Sequence, residues 1–235
     1  MNFWLASANP RKVEQAMALG IWRGVITNPS LVARELAEGR RGPEALFAEL
    51  IDIAGKAWYQ LRDASHDAML AEAETMLALD ARRIGIKVPA TRAGLGVLRA
   101  LRERGVEPMA TVVPTATWLT FAVAAGAVMV APYGGMLQRA GLAAKHEEVA
   151  RMQALIDAQA YDVLLCVGIY DATEIPTYAR LGVRACFVWE RDLERYFTQP
   201  LVDEACAAFA SDWDTIDEAR RSASSATPER GTESA

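Results

Sequence analysis

Short runs of apolar residues alternate along this chain with longer stretches in which apolar residues recur every three or four positions. A short apolar run bounded by polar residues or glycine is typical of a strand buried on both faces, whereas the longer spacing indicates an amphipathic helix. The pattern predicts strands at Phe3–Ala6, Gly24–Thr27, Ala57–Leu61, Arg83–Val88, Glu107–Val112, Val128–Pro132, Asp162–Val167 and Arg184–Val188. It predicts helices at Arg11–Leu19, Pro43–Ala54, Asp67–Leu79, Gly94–Arg104, Glu147–Ala158 and Thr173–Leu181.

Strands that alternate with helices over 235 residues favour an α/β fold of the TIM (β/α)8 barrel type. The rival is an open doubly wound sheet, but no GxGxxG motif follows the first strand. Gln199-Pro200 opens an extra C-terminal helix that the pattern carries to Trp213. We therefore expect one barrel domain over residues 1–220, including this helix. Residues 221–235 are rich in serine, threonine and glutamate and are expected to form a disordered tail.

Composition narrows the class of protein. The net charge of -5 and the isoelectric point near 5.2 argue against a nucleic-acid partner, and no apolar run is long enough to predict a membrane span. The three cysteines form no CxxC pair, and their odd number fits a reducing cytoplasm. Cys166 and Cys186 lie in apolar runs and are expected to be core thiols. The two histidines, His66 and His146, lie in polar helical stretches, so we expect them on the surface and expect no histidine-rich metal site.

Lys87 stands at the end of the apolar fourth strand, in the segment Ile84-Gly85-Ile86-Lys87-Val88-Pro89. An unpaired ammonium group in such a place is costly to bury, so its pKa is expected to fall. A neutral amine beside a cavity is a nucleophile for carbonyl groups. The chain has only three other lysines, Lys12, Lys56 and Lys145, so a lysine kept in a strand indicates chemistry.

Other polar or aromatic residues also follow strand ends, where a TIM barrel places its active site. Each has a structural alternative. Asn28 fits a helix cap, Gln60 a core amide, Tyr133 a tyrosine with its hydroxyl in water, and Glu190 the cap of a helix that starts near Arg191. The full set of candidates that accompany Lys87 is Thr27, Asn28, Ser30, Gln60, Thr111, Tyr133, Gly168, Trp189 and Glu190.

Several segments resemble the transaldolase family, most closely its short branch of the fructose-6-phosphate aldolase type. The matching segments are Leu5-Ala6-Ser7-Ala8-Asn9, Gly24-Val25-Ile26-Thr27-Asn28-Pro29-Ser30, Ile86-Lys87-Val88-Pro89-Ala90-Thr91, Val130-Ala131-Pro132-Tyr133 and Thr198-Gln199-Pro200-Leu201-Val202-Asp203. The resemblance implies a TIM barrel without metal or organic cofactor, and a Schiff base between a lysine and a ketose. It also implies a homo-oligomer, a pentamer or decamer, held together partly by the C-terminal helix.

The resemblance assigns roles to individual positions. Lys87 matches the Schiff-base lysine and Tyr133 the acid/base tyrosine of the short branch. Thr111 and Gln60 match the residues that hold a catalytic water, and Thr27 and Asn28 match substrate-contacting positions. These residues would move protons around a carbinolamine and an enamine.

The departures from the family pattern concern the substrate. Ala6 stands where the family has an aspartate, and Met136 and Gly168 stand where it has an arginine and a serine for phosphate. Tyr170 takes a position that is often basic. Arg139 lies close to Met136 in sequence and could substitute for the missing arginine, although its alternative is a solvated helix charge. Glu190 would repel phosphate, and it would either replace the missing carboxylate or meet a substrate amine.

We therefore expect a Schiff-base-forming class I aldolase or transaldolase-like enzyme, acting on a small carbonyl substrate that is not the usual sugar phosphate. One alternative is a non-catalytic barrel that binds a small ligand or has a regulatory role. Another is a Schiff-base enzyme of non-aldol type, which performs imine condensation or decarboxylation.

Overall fold

Eight parallel strands close into a barrel in which each strand pairs with its neighbours in sequence and β8 pairs with β1. The computed structural model describes residues 1–39 and 41–225. This architecture confirms the predicted TIM barrel. The strands are β1 (Asn2–Ala6), β2 (Trp22–Ile26), β3 (Ala57–Gln60), β4 (Ile84–Pro89), β5 (Met109–Val113), β6 (Met129–Pro132), β7 (Leu164–Ile169) and β8 (Ala185–Trp189).

Helices connect successive strands and cover the outside of the barrel. Side-chain caps begin several of them, as where Ser65 accepts from the N–H of Ala68 and Thr91 accepts from the N–H of Gly94. The helices of the barrel are α1 (Pro10–Met17), α2 (Pro29–Glu38), α3 (Pro43–Ala54), α4 (His66–Leu77), α5 (Arg92–Glu103), α6 (Ala116–Ala124), α7 (Gly134–Arg139), α8 (Lys145–Ala158) and α9 (Glu174–Arg180). Compared with the prediction, α2, α6 and α7 are additional.

The connection from β4 to α5 is tight, and it fixes the end of the strand that carries Lys87. A Cβ atom on Gly94 would lie 1.9 Å from the carbonyl oxygen of Pro89. Only glycine allows the first turn of α5 to approach the strand this closely. The whole of β4 is buried, as is Ala90 directly after it. Lys87 therefore lies on a strand whose backbone is packed inside the protein.

Beyond β8 the chain forms a short 3-10 helix at Glu190–Asp192, followed by α10 (Leu193–Phe197) and α11 (Pro200–Ser225). Contacts divide the chain into two compact units, Met1–Leu193 and a second that begins at Glu194. Helix α11 continues past Trp213, so the predicted end of this helix is wrong. Residues 221–225 are helical, whereas residues 226–235 of the predicted tail lie outside the described residues. Glu218, Ala219, Arg220 and Arg221 lie consecutively in the added turns and have high helix propensity.

The predicted core position of Cys166 and Cys186 and the predicted surface position of His66 and His146 are confirmed, since the two cysteines are buried and the two histidines are exposed. In residues 1–39 and 41–225, no helix has the length and apolar character needed to cross a membrane. Placement in the cytoplasm and membership of the C-terminal helix in the barrel domain stay predictions.

Candidate active site

A cavity of about 340 Å³ opens at the C-terminal ends of the strands, and all eight strands or the loops directly after them contribute to it. Its position is the one where TIM-barrel enzymes carry their chemistry, and its volume suits a small molecule. The lining residues are Ala6, Ile26, Thr27, Asn28, Pro29, Ser30, Gln60, Lys87, Thr111, Ala131, Pro132, Tyr133, Gly135, Met136, Arg139, Lys145, Gly168, Tyr170, Phe187 and Trp189.

Lys87 is 5% exposed and points into this cavity from β4. Burial lowers the pKa of its amine from 10.5 to about 8. Its Nζ atom donates a hydrogen bond of 2.5 Å to the carbonyl oxygen of Thr27, and no carboxylate among the described residues pairs with it. A substantial fraction of Lys87 is therefore a neutral amine near pH 8, which is the form that attacks carbonyl carbon.

Thr27 and Asn28 both have structural tasks in the turn after β2. The hydroxyl of Thr27 donates 2.8 Å to the carbonyl oxygen of Trp58, so the carbonyl of Thr27, and not its hydroxyl, contacts Lys87. The Oδ1 atom of Asn28 accepts 3.0 Å from the N–H of Leu31 and caps α2. Asn28 also lines the cavity, and its capping bond leaves the amide NH₂ group for a ligand.

Gln60 and Thr111 lie on the strands that flank β4. Gln60 is the register partner of Lys87, and Thr111 pairs with Pro89 on the other side. Val112, directly after Thr111, has a φ of 60° at an irregularity in the pairing of β5 with β6. Such strain in a β-branched residue is uncommon. At this irregularity Thr111 is buried and lines the cavity, whereas the side chain of Val112 is 38% exposed.

Tyr133 follows β6 and is 38% exposed, although its ring lines the cavity. Its N–H donates 2.8 Å to the carbonyl oxygen of Val113, which ties the start of α7 to β5. The predicted cluster is therefore assembled around Lys87 from four neighbouring strands. Its members are Gln60, Lys87, Thr111 and Tyr133, with Thr27 and Asn28 at the adjacent rim.

Three rings form an aromatic wall on the β7–β8 side of the cavity, namely Tyr170, Phe187 and Trp189. Tyr170 and Trp189 stack with centroids 6.1 Å apart, and Phe187 meets Trp189 edge to face at 5.5 Å. Gly168 creates the space for this wall, because a Cβ atom there would lie 2.6 Å from the ring of Phe187.

Lys145, at the start of α8, is a second buried lysine in the cavity. Its Nζ atom lies 2.7 and 2.8 Å from the two carboxylate oxygens of Glu174 and 4.5 Å from the centroid of the Tyr170 ring. Burial lowers the pKa of this amine, while the ion pair with Glu174 acts in the opposite direction. Unlike Lys87, Lys145 has a partner that holds it as a cation.

Glu190 lies beside the cavity and not in it. It lines an adjoining pocket of about 240 Å³ that shares Ala6, Asn28, Ser30 and Trp189 with the main cavity. Its carboxylate accepts a hydrogen bond from the Ser7 hydroxyl and pairs with Lys12 at 3.3 Å. Trp189, not Glu190, occupies the cap position of the 3-10 helix, so the cap interpretation of Glu190 is wrong.

Metal binding has no support in the part of the chain that the structure describes, since no group of three or more histidine, cysteine, aspartate or glutamate residues is placed to hold an ion. No carboxylate appears among the described residues that line the main cavity either. The chemistry of the cavity is therefore that of amine, guanidinium, hydroxyl, amide and aromatic groups.

Comparison with known proteins identifies the family. The family model described as "Transaldolase/Fructose-6-phosphate aldolase" matches residues 3–175. The chain belongs to this family. A "Probable transaldolase" from Maridesulfovibrio salexigens is 30% identical over 218 residues, which cover 92% of this chain and 99% of that protein. A "Probable transaldolase" from Rhodospirillum centenum is 31% identical over 216 residues, which cover 91% of each.

The likeness to solved structures is one of fold. The HpcH/HpaI aldolase from Desulfitobacterium hafniense DCB-2 matches with a TM-score of 0.57 at 12% identity, covering 92% of each chain. This agrees with the barrel architecture described above. The transaldolase family model ends at residue 175, so β8 with Phe187 and Trp189 lies beyond the matched range.

Within this transaldolase-family barrel, nine of the ten predicted site residues line the main cavity, and Glu190 lines the adjoining pocket. Sequence reasoning did not select Lys145 or Phe187, and it placed Tyr170 after the seventh strand without assigning it a role in the site. Two features of the sequence indicate Lys145. It is one of only four lysines, and the segment between Gly134-Gly135 and Lys145 is long enough for a short helix. For Phe187, the two-residue alternation with Ala185 and Trp189 was the available signal.

Proposed function

We propose that this protein is a class I aldolase or transaldolase-like enzyme that forms a Schiff base between Lys87 and a small carbonyl substrate. The observation that carries the proposal is the buried amine of Lys87, whose pKa is lowered to about 8 and whose Nζ atom faces the cavity without a carboxylate partner among the described residues. Membership of the transaldolase family supports the class of reaction.

The proposed reaction begins when the neutral amine of Lys87 adds to the carbonyl carbon and gives a carbinolamine. Loss of water yields an iminium ion, which acidifies the adjacent carbon, and removal of a proton there gives an enamine. The enamine carbon then bonds to an aldehyde carbon, and the aldehyde oxygen takes up a proton. Water finally hydrolyses the iminium, which releases the product and restores the amine. The reverse sequence cleaves the same C–C bond.

Proton transfer in this scheme belongs to Tyr133, acting through a water held between Gln60 and Thr111. These three side chains line the same cavity as Lys87, and two of them lie on the strands that flank β4. Asn28 would orient a substrate hydroxyl with its amide NH₂ group, and Ser30 and Gly168 would contact the substrate at the rim.

We further propose that the substrate is not the usual sugar phosphate. Met136 and Gly168 line the cavity. By the family resemblance, these are the positions of an arginine and a serine that hold phosphate. Lys145 forms an ion pair with Glu174, so Arg139 is the one basic residue among the described lining residues, apart from the reactive Lys87, that has no ion-pair partner there. A phosphate dianion is normally held by several charge-assisted hydrogen bonds.

A second candidate is a Schiff-base enzyme that makes or breaks no C–C bond. Ala6 is the observation that favours it, because this position is apolar, is 1% exposed, and faces a cavity whose described lining has no carboxylate. An enzyme of this kind would still form the iminium at Lys87. It would then perform an imine condensation or a decarboxylation.

Borohydride trapping tests the Schiff base directly. The protein is incubated with dihydroxyacetone and with a panel of small aldehydes, reduced, and analysed by intact mass and peptide mapping. We expect one stable adduct, located on Lys87 and not on the other three lysines, and its loss in Lys87→Met. Lys56→Met is the matched control, because Lys56 lies outside the cavity and should leave trapping intact.

The trapping experiment also separates the candidates. Absence of an adduct with every carbonyl would refute both Schiff-base functions and favour a ligand-binding role. An adduct on Lys87 without any aldol product would support the second candidate over the first.

We also propose that the protein is a homo-oligomer. Helix α11 exposes Val202, Phe209, Trp213 and Ile216, whose spacing places them along one stripe of the helix. An exposed apolar stripe of this kind is typical of a surface that packs against another chain.

A further inference from the structure

We propose that the aromatic wall of Tyr170, Phe187 and Trp189 binds a flat aromatic group of the aldehyde substrate. This inference rests on the proposed function, because it assigns the part of the cavity that receives the second reactant after Lys87 has captured the first. The aldehyde class is therefore an aromatic or arylalkyl aldehyde without phosphate.

Separate parts of the chain fit one another closely where they form the wall. Gly168 on β7 leaves room for Phe187 on β8, whose ring atom would lie 2.6 Å from a Cβ at that position. Gly135 in α7 leaves room for the hydroxyl of Tyr170, which would lie 2.8 Å from a Cβ there. Any larger residue at either glycine would push a ring out of place. The rings are thus accommodated by their surroundings and are not incidental.

Several contacts fix the position of Tyr170. Its N–H donates 2.8 Å to a carboxylate oxygen of Glu174, and the ammonium group of Lys145 lies 4.5 Å from its ring centroid. Lys145 is itself fixed by Glu174 through two short contacts, and Gly134 leaves space for its side chain. The ring of Trp189 stacks with the ring of Tyr170, with centroids 6.1 Å apart and planes inclined by 27°. A preorganised ring surface loses little freedom when it binds a flat ligand.

The charge beside the wall also bears on which ligand binds there. Glu174 offsets the ammonium of Lys145, so this side of the cavity offers little net positive charge to a phosphate. A phosphate placed there would also approach the Glu174 carboxylate. Rings at offset or edge-to-face geometry, by contrast, attract another ring with specific orientation. The wall therefore favours a neutral aromatic group over an anionic one.

Binding of compounds without a carbonyl group tests the wall independently of Lys87 chemistry. Isothermal titration of the full-length protein with benzyl alcohol, cyclohexylmethanol and glycerol 3-phosphate compares a flat ring, a puckered ring and an anion. We expect benzyl alcohol to bind at least about fivefold more tightly than either of the other two. Tyr170→Ala should weaken benzyl alcohol binding by about fivefold or more.

Phe121→Ala is the matched control, because Phe121 is a half-exposed ring on α6 that does not line the cavity. Its binding of benzyl alcohol should equal that of the unmodified protein. Folding of each variant is checked by circular dichroism and thermal unfolding before titration. Tighter binding of glycerol 3-phosphate than of benzyl alcohol would overturn the proposal, as would equal binding by folded Tyr170→Ala.

The aldol assay then ties the wall to the reaction. With dihydroxyacetone as the donor, we expect kcat/KM for phenylacetaldehyde to exceed that for butanal and for glyceraldehyde 3-phosphate by about tenfold. If Lys87 is trapped by borohydride but glyceraldehyde 3-phosphate is the better acceptor, the wall proposal alone fails. If Lys87 is never trapped while benzyl alcohol still binds through Tyr170, the proposed function fails and the aromatic site stands.

Discussion

Replacement of Lys87 by methionine should stabilise the folded barrel at neutral pH, because it removes a buried charge while keeping a side chain of similar length. The folded protein lowers the pKa of Lys87 from 10.5 to about 8. At pH 7 the amine is mostly protonated in both the folded and the unfolded state. A pKa difference of about 2.5 then costs the folded state about 3 kcal/mol.

The hydrogen bond from Lys87 to the carbonyl oxygen of Thr27 acts against this gain, since methionine cannot donate. Loss of that bond offsets about 1–2 kcal/mol. The expected net effect of Lys87→Met at pH 7 is therefore a gain of about 1–2 kcal/mol in the free energy of unfolding. Stability would rise while trapping of carbonyl compounds is lost, which is the usual relation between a strained site and its function.

The pH dependence gives the sharper measurement. Between pH 8 and pH 10.5 the unfolded chain keeps the proton on Lys87 while the folded chain loses it, so the stability of the unmodified protein rises with pH through this contribution. The charge penalty should fall from about 3 kcal/mol at pH 7 to about 1 kcal/mol at pH 10. The advantage of Lys87→Met should therefore disappear by pH 10.

Urea unfolding of both proteins at pH 7 and pH 10 measures this difference. Lys145→Met is the contrasting variant, because it leaves the carboxylate of Glu174 without its lysine and should destabilise the protein by about 1.5–3 kcal/mol at pH 7. An unchanged free energy of unfolding in Lys87→Met at both pH values would refute the claim that Lys87 is a desolvated charge.

Three further predictions follow from the same geometry. The rate of borohydride trapping should rise with pH to a midpoint near 8, the pKa of buried Lys87, and a midpoint above 10 would contradict the low pKa. Gly168→Ala should lower the free energy of unfolding by about 1–3 kcal/mol, because its Cβ would meet the Phe187 ring. Gly39→Ala is the control and should change this free energy little, and differential scanning calorimetry measures both variants. Phe209→Glu should reduce the particle mass seen by light scattering, and an unchanged mass would exclude that stripe of α11 as an interface.

The barrel and the Lys87 cluster were predictable from sequence because both depend on local periodicity and on a topological rule. Eight strand patterns in order imply that strand ends meet at one rim, so Gln60, Lys87, Thr111 and Tyr133 fall together without any knowledge of side-chain conformations. The strand boundaries differ by a few residues at most, as at β7, which starts at Leu164 where Asp162 was expected.

The electrostatic environment was not predictable in the same way, because it depends on which charges meet across loops. Glu190 has Lys12 of α1 as its partner, and Lys145 of α8 has Glu174 of α9. In both cases the partner is far away in sequence, and no periodic pattern connects the two. The pairing of Glu190 with Lys12 and the position of Lys145 in the cavity were therefore not predicted.

Gly168 illustrates how the structure changes the meaning of a departure from the family. In the sequence, Gly168 indicates the loss of a polar side chain. The loss of polar side chains at the rim of the cavity favours a barrel without catalytic activity. In the structure the missing side chain is the space that Phe187 fills, and Gly135 makes the matching allowance for Tyr170. Loss of catalytic function alone gives no physical reason for the pairs Gly168–Phe187 and Gly135–Tyr170, since each glycine without its ring would leave a void. Rings that fit their glycines beside a retained Lys87 therefore favour a changed substrate over an abandoned reaction.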